Sequence, residues 1–423
     1  METRANGDPN TTTHSNVATQ SVPFRDVDCV RNFMPSWFAV NMGTGAVSTL
    51  LWNFPYGPKP MLHLLGTGFL VLNVILFVTF CALSLIRYFR YPQLIHLTYR
   101  HPIQSLYLGC LPMGFATIIN TTLNLNQGYG LGGESLLYLL WSLWWLDSIA
   151  SLAIYFLMLY SMITRQNHSI KALTAVWLLP AVTPIVPSTT GALLARAILP
   201  HSTNHAILTL FVSTILLFLG LSLTFMILPL YVFRLITEGL PEKTLITSKF
   251  LPVGPCGQGG AAFVIIGQTF AEIARRHLSN HVLLSESQPW NLLGVSCGFF
   301  LWTFGIWWIV SSIFGMYETF RWDPPNFAVG FWGMVFPLGV YAFLTLQLSQ
   351  ALGSTILTRL AATLSMAVFI LWGTLAGATT HQLLRNGKQL FSAPFGLETP
   401  RNSPPESPRQ PWLLDRSDGR IRI

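Results

Sequence analysis

The sequence predicts an all-α integral membrane protein: ten transmembrane helices, paired as five helical hairpins around a central pore, odd helices inside and even helices outside. Three observations predict it. Of 423 residues, 51% are hydrophobic and only 9% charged, whereas a soluble chain carries about a quarter charged residues. The apolar residues gather into ten stretches of roughly the 20 residues that cross a bilayer. Alternate stretches also share a proline with small or polar residues after it.

The stretches lie near 33–53, 61–86, 103–125, 136–162, 171–194, 206–233, 251–274, 290–316, 326–349 and 355–380. The first opens "FMPSWFAVNMGTGAVSTLL", whose Pro, Gly, Asn and Thr are poor helix formers. The third opens "LPMGFATIINTTL", the fifth carries "LPAVTPIVPSTTG", the seventh "LPVGPCGQGGAAF" and the ninth "VFPLGVYAFLTLQ". The prolines are Pro35, Pro112, Pro180, Pro252 and Pro337, spaced 68 to 85 residues apart. The second, fourth, eighth and tenth stretches hold no proline, and in the sixth Pro229 lies near one end. This pattern is a five-fold repeat of a broken helix followed by a smooth one. Proline lacks an N–H and clashes with the preceding turn, so each is expected to break its helix. Hydrocarbon cannot satisfy the freed carbonyls, whereas protein or a water-filled cavity can. The odd helices are therefore expected to line a central pathway and the even helices to face lipid.

Charge assigns orientation. Of 24 lysines and arginines, Lys59, Arg196, Arg275, Arg276 and Arg359 lie on the side opposite the termini and the rest on the side of the termini. The positive-inside rule then puts both termini in the cytoplasm. The net charge of +8 is thereby a topology signal, and no nucleic-acid partner is expected. Residues 1–30 and 386–423 read as disordered cytoplasmic tails flanking a membrane domain of residues 31–385, because neither tail has enough apolar content to fold. No cleavable signal peptide is expected. The five cysteines form no CxxC pair, and HExxH, GxSxG and P-loop motifs are absent. Neither an enzyme, a metal site nor a cofactor is expected, and with no ATP-driven module any transport runs down an existing gradient.

Candidate contacts for a passing ion are neutral and polar: Asn41, Thr44 and Ser48; Asn120 and Thr121; Ser188 and Thr189; Gln258 and Gln268; Thr345 and Gln347. Conduction needs binding that is favourable yet weak, which hydroxyls and amides offer a small anion and a fixed charge does not. Asp147, in "LWWLD", is an acid well inside the fourth stretch, and a buried hydrogen-bonding role is expected for it over proton transfer. Arg196, at the outer end of the fifth, either draws anions to the mouth or anchors the interface. With the cytoplasm negative, the membrane potential drives an anion outward with about 2.3 kcal/mol per charge per 100 mV, so a simple gated pore works as an exporter.

Taken together, "PSWFAVNMGTGAVSTLLWNFPY", "LWWLD", "GPCGQGGAAF" and "GMVFPLG" resemble the tellurite-resistance/dicarboxylate transporter (TDT) family of the slow-anion-channel superfamily, and within it the fungal sulfite efflux pumps. The resemblance spans roughly residues 30–385. It implies the ten-helix fold, a homo-oligomer, trimeric in family members, and a pore-blocking phenylalanine on the ninth helix, here Phe336. A large aromatic beside a helix break is independently a plausible hydrophobic gate. The implied function is export of sulfite or hydrogensulfite across the plasma membrane, giving sulfite tolerance. The alternatives are a dicarboxylate (malate) transporter or anion channel with the same pore, or a non-transporting membrane scaffold or sensor.

Overall fold

A computed structural model describes residues 30–277, 287–322 and 325–391. It contains eleven helices: α1 (Phe38–Trp52), α2 (Lys59–Arg90), α3 (Gln93–Arg100), α4 (Cys110–Tyr129), α5 (Gly133–Thr164), α6 (Leu179–Ile198), α7 (Thr203–Glu238), α8 (Val253–His277), α9 (Ser287–Trp322), α10 (Val335–Leu352) and α11 (Thr355–Phe391). No strand occurs among the described residues. The short surface helix α3 follows α2 and was not foreseen. Both expected tails lie almost wholly outside the described residues. The last helix, α11, runs to Phe391, six residues past 385.

Helices α1, α4, α6, α8 and α10 each pack against the helix that follows, and against one another in the cyclic order α1–α4–α6–α8–α10–α1. Five helices thus close a ring, and α2, α5, α7, α9 and α11 lie outside it. In the most apolar windows of α4, α6, α8 and α10, between 67% and 94% of residues are buried, against 17% to 44% in the five outer helices. Lipid solvates the outward face of an outer helix, so that face stays apolar and exposed. Among the described residues, nine helices are long and apolar enough to cross a membrane. The 15-residue α1 is not one of them. All its residues except Thr49 and Leu51 are buried, so it needs no lipid-compatible surface.

The prolines act differently from the expectation. Each inner helix is preceded by a 3-10 segment: Pro35–Trp37, Ser105–Gly109, Ala175–Leu178, Lys243–Phe250 and Val329–Met334. Pro35 opens the first of these, Pro252 directly precedes α8, and Pro112, Pro180 and Pro337 sit within the first three residues of α4, α6 and α10. They start helices and do not break their interiors. The first-turn N–H groups have no intrahelical partner in any case, so proline costs little there. True interior prolines occur at Pro184 and Pro187 of α6, the most enclosed helix. There the indole of Trp144 on α5 donates to the Pro187 carbonyl at 2.7 Å.

In every hairpin, the segment entering the inner helix is tied to the C-terminal part of its outer helix. Arg87 Nε of α2 donates to the Arg31 carbonyl at 3.1 Å. Ser161 of α5 and Gln166 just past it donate to the Tyr99 carbonyl at 3.3 and 3.1 Å. Arg234 Nη2 of α7 donates to the Lys171 carbonyl at 3.2 Å. Lys249 Nζ donates to Ser311 of α9 at 3.0 Å, and Ser312 Oγ returns a bond to the Lys249 carbonyl at 2.6 Å. The Trp332 indole donates to Thr379 of α11 at 3.0 Å. The repeat seen as prolines in sequence is therefore a five-fold clasp in space.

Of the glycines of "MGTG", Gly45 allows close approach of α1 to α2 and α4, and Gly43 lies against the start of α10 at Val335. Asn41 donates to the backbone and side-chain oxygens of Asn73 on α2 at 3.1 and 2.5 Å, and Asn73 donates to Thr117 of α4 at 3.0 Å. A Cβ on Gly45 would overlap the Thr117 hydroxyl and the Asn73 amide, and one on Gly114 would overlap the Asn41 oxygen. Gly45→Ala is thus expected to lower stability by about 1–3 kcal/mol, as overpacking does. Gly373→Ala, whose Cβ would meet nothing within 4 Å, is expected to leave it unchanged. Melting curves of the purified variants in detergent check this; equal melting temperatures for both would refute the packing assignment.

Candidate functional site

The five inner helices enclose a small central cavity of about 30 Å³ near the ends at which they begin. Its wall includes Met42 of α1, Met113 of α4, Val182 of α6, Gly254 of α8, and Phe336 and Pro337 of α10. Every inner helix contributes, and the lining is apolar apart from the edge of Tyr107. At about 30 Å³ the cavity holds no more than a water molecule or two. Phe336 is only 5% exposed and forms part of the wall of this neck.

On the side of the helix starts, a larger cavity of about 280 Å³ is lined by residues including Ser36, Gln104, Tyr107, Lys243 and Gln382. Tyr107 borders both cavities. In the other direction, helical register continues three of the five walls. Gln258 lies four residues after Gly254, Asn120 seven after Met113, and Gln347 eleven after Phe336, all spacings that return to the same helix face. At a rise of about 1.5 Å per residue, the three stand about 6, 10 and 16 Å past the neck. Gln258 and Gln347 are 4% and 6% exposed. No side-chain hydrogen bond links either amide to another described residue, and Asn120 Oδ1 is buried without a partner among them.

Residues 32–380 match the family described as SLAC1, voltage-dependent anion channel. The chain is a SLAC1-family protein. Its relatives include the sulfite efflux pump SSU1 of Arthroderma otae, 32% identical over 364 residues that cover 86% of this chain and 93% of that protein. The sulfite efflux pump SSU1 of Candida albicans is 31% identical, covering 74% of this chain and 65% of its own length. The malic acid transport protein of Schizosaccharomyces pombe is 22% identical over 77% of this chain and 72% of its own. A helical membrane protein is the architecture that both the family match and the apolar helices describe.

The polar residues singled out in this SLAC1-family chain divide by where they bond. Asn41 and Ser48 face α2, the latter donating to the Gly66 carbonyl at 2.6 Å. Thr44 accepts the Trp372 indole of α11 at 3.0 Å, and Thr345 accepts the Trp302 indole of α9 at 3.0 Å. These four join the inner ring to the outer helices. Thr189 donates to the Gln258 carbonyl at 3.1 Å, and Thr121 lies 3.5 Å from Thr49; both sit in seams between inner helices. Ser188 is fully buried, its hydroxyl without a partner among the described residues. Asp147 is 2% exposed on the face of α5 that carries Trp144, and neither carboxyl oxygen accepts a bond from a described residue. Among the described residues singled out, Asn120, Gln258 and Gln347 are the ones whose amides make no side-chain hydrogen bond, at positions in register with the cavity lining. Asn73 was missed, although a lone Asn within "LVLNVILF" is itself a signal of intramembrane hydrogen bonding. Among the described residues, no cluster of His, Cys, Asp or Glu is suited to a metal ion.

His101 shapes the larger cavity. Its Nδ1 accepts the N–H groups of Ile103 and Gln104 at 3.2 and 3.1 Å, fixing the turn that carries both residues to the cavity wall. Burial pushes its pKa below the ordinary 6.5. Just below that value the unfolded chain binds more protons than the folded one, so this contribution to stability is full above it and is lost as pH falls. Stability is expected to drop from about pH 7 to about pH 5 by more in the wild type than in His101→Asn, whose side-chain oxygen keeps an acceptor. Parallel melting-temperature profiles for the two proteins would count against this role.

Proposed function

We propose that this protein exports sulfite or hydrogensulfite across the plasma membrane, through a pathway enclosed by the five inner helices of a ten-span chain with both termini in the cytoplasm. The observation that carries the reading is the apolar neck at Phe336, built from all five inner helices, with free carboxamides stacked beyond it. The names of the relatives supply the substrate. The protein is a transporter without catalytic chemistry. The anion enters the cavity beside Tyr107, passes when Phe336 turns aside, and is then handed among the amides of Gln258, Asn120 and Gln347. Each offers N–H donors and no fixed charge, so the ion is held weakly and leaves readily. The membrane potential drives it outward and no coupling ion is needed. Asn41, Thr44, Ser48 and Thr345 serve the ring itself, because their hydrogen bonds go to the outer helices.

Sulfite and malate efflux from proteoliposomes under an imposed potential tests the assignment, and malate flux without sulfite flux overturns it. Phe336→Ala is expected to raise sulfite flux about tenfold, as a barrier lowered by ~1.4 kcal/mol does; unchanged flux removes the gate. Gln258→Leu is expected to lower flux by about the same factor while leaving the melting temperature unchanged, since its amide bonds to no other described residue. Thr44→Val is expected to do the reverse, lowering stability and sparing flux. An identical response of the two variants in both measurements would contradict the division between pathway and scaffold.

A further inference from the structure

The cavity faces of α6 and α8 end beside one another. Arg196 lies fourteen residues beyond Val182 on α6, and Gln268 fourteen beyond Gly254 on α8. Fourteen residues is close to four turns, so both return to the cavity face, about 21 Å past the neck. There Arg196 Nη2 donates to Gln268 Oε1 at 2.7 Å, on the exposed end of the ring. No ion pair joins Arg196 to a carboxylate among the described residues. Glu272, one turn beyond Gln268, is taken by Arg275 at 2.8 Å and Arg276 at 2.5 Å, and Glu134 pairs with His201 at 2.8 Å.

The chemistry of the pair is one-sided. Its one strong acceptor, the glutamine oxygen, is occupied by the guanidinium. Apart from that oxygen's second lone pair, what remains is the rest of the guanidinium N–H groups and the amide NH₂, all donors, with a net charge of +1. We propose that Arg196 and Gln268 form an oxyanion site at the extracellular mouth, the last station of the exported anion, for which anions outside compete. The site rests on the export reading above. The planar guanidinium fork matches two oxygens of one oxyanion, whereas a halide presents a single atom. Sulfite and sulfate are therefore favoured over chloride. Exposure to solvent and salt screening keep the binding weak enough for release.

Two measurements on the full chain test the site. In detergent, at constant ionic strength, sodium sulfite is expected to raise the melting temperature of the wild type saturably, and sodium chloride much less. In Arg196→Gln the half-saturating sulfite concentration is expected to rise about tenfold, the loss of a charge-assisted hydrogen bond. Arg196→Lys keeps the charge and is expected to lose the preference for sulfite over chloride. Gln268→Glu puts a carboxylate on the guanidinium, keeps the α6–α8 bridge as an ion pair, and is expected to abolish the shift in a protein that still folds. In proteoliposomes, external sulfate is expected to slow sulfite efflux by the wild type but not by Arg196→Gln or Gln268→Glu. Absence of a sulfite shift in the wild type, or wild-type sensitivity in both of those variants, overturns the site. The melting assay involves no transport, so a failure of the export reading, seen as no sulfite flux in the wild type, is distinguishable from a failure of the site.

Discussion

Hydrocarbon offers a polar group no hydrogen-bond partner, and much of the architecture follows from that constraint. The inner helices carry Asn41, Thr44, Ser48, Thr189 and Thr345, and each is entered through a 3-10 segment. None of these can face hydrocarbon. The outer helices cover them, and at chosen points reach in with a donor or acceptor. Asn73, Trp144, Trp302 and Trp372 do so from outer helices at membrane depth. Arg87, Arg234 and the Lys249–Ser312 pair do so where the inner helices begin.

The same requirement explains why glycine is so common in the ring. A short polar bond between helix axes needs the backbones near one another. Gly45 and Gly114 make room for the Asn41–Asn73–Thr117 network, and a Cβ on Gly257 would meet the α10 backbone 2.6 Å away at Tyr341. Gly260 and Gly298 bring α8 and α9 close in the same manner. Tight packing of this kind leaves little space at the centre. The residual cavity is small and apolar at Phe336, and the few amides not consumed by the scaffold are left beyond it.

A pathway of this design separates two tasks that compete for the same residue types. Hydroxyls and amides that hold the ring have their hydrogen bonds committed, while the free ones lie on the face shared with Met113, Gly254 and Phe336. Charge is kept to the ends, with Lys243 on one cavity wall and Arg196 at the other extreme. On the proposed route an anion crosses the apolar neck and the neutral amides between two zones of positive potential.

Much of this is legible in the sequence. The low charge, the ten apolar stretches and the alternate prolines determine an all-helical membrane protein with a polar inner set and an apolar outer set, because lipid tolerates only the second kind of surface. The sequence also marked Phe336 and the neutral character of the inner helices. It did not show that the prolines begin helices, since a proline removes the same N–H wherever it stands and only the neighbouring backbone reveals whether that N–H had a partner. Nor did it separate Asn41 from Gln258, two amides on inner helices. Which amide bonds outward and which stays free depends on the rotation of each helix against its neighbours, which tertiary packing alone decides.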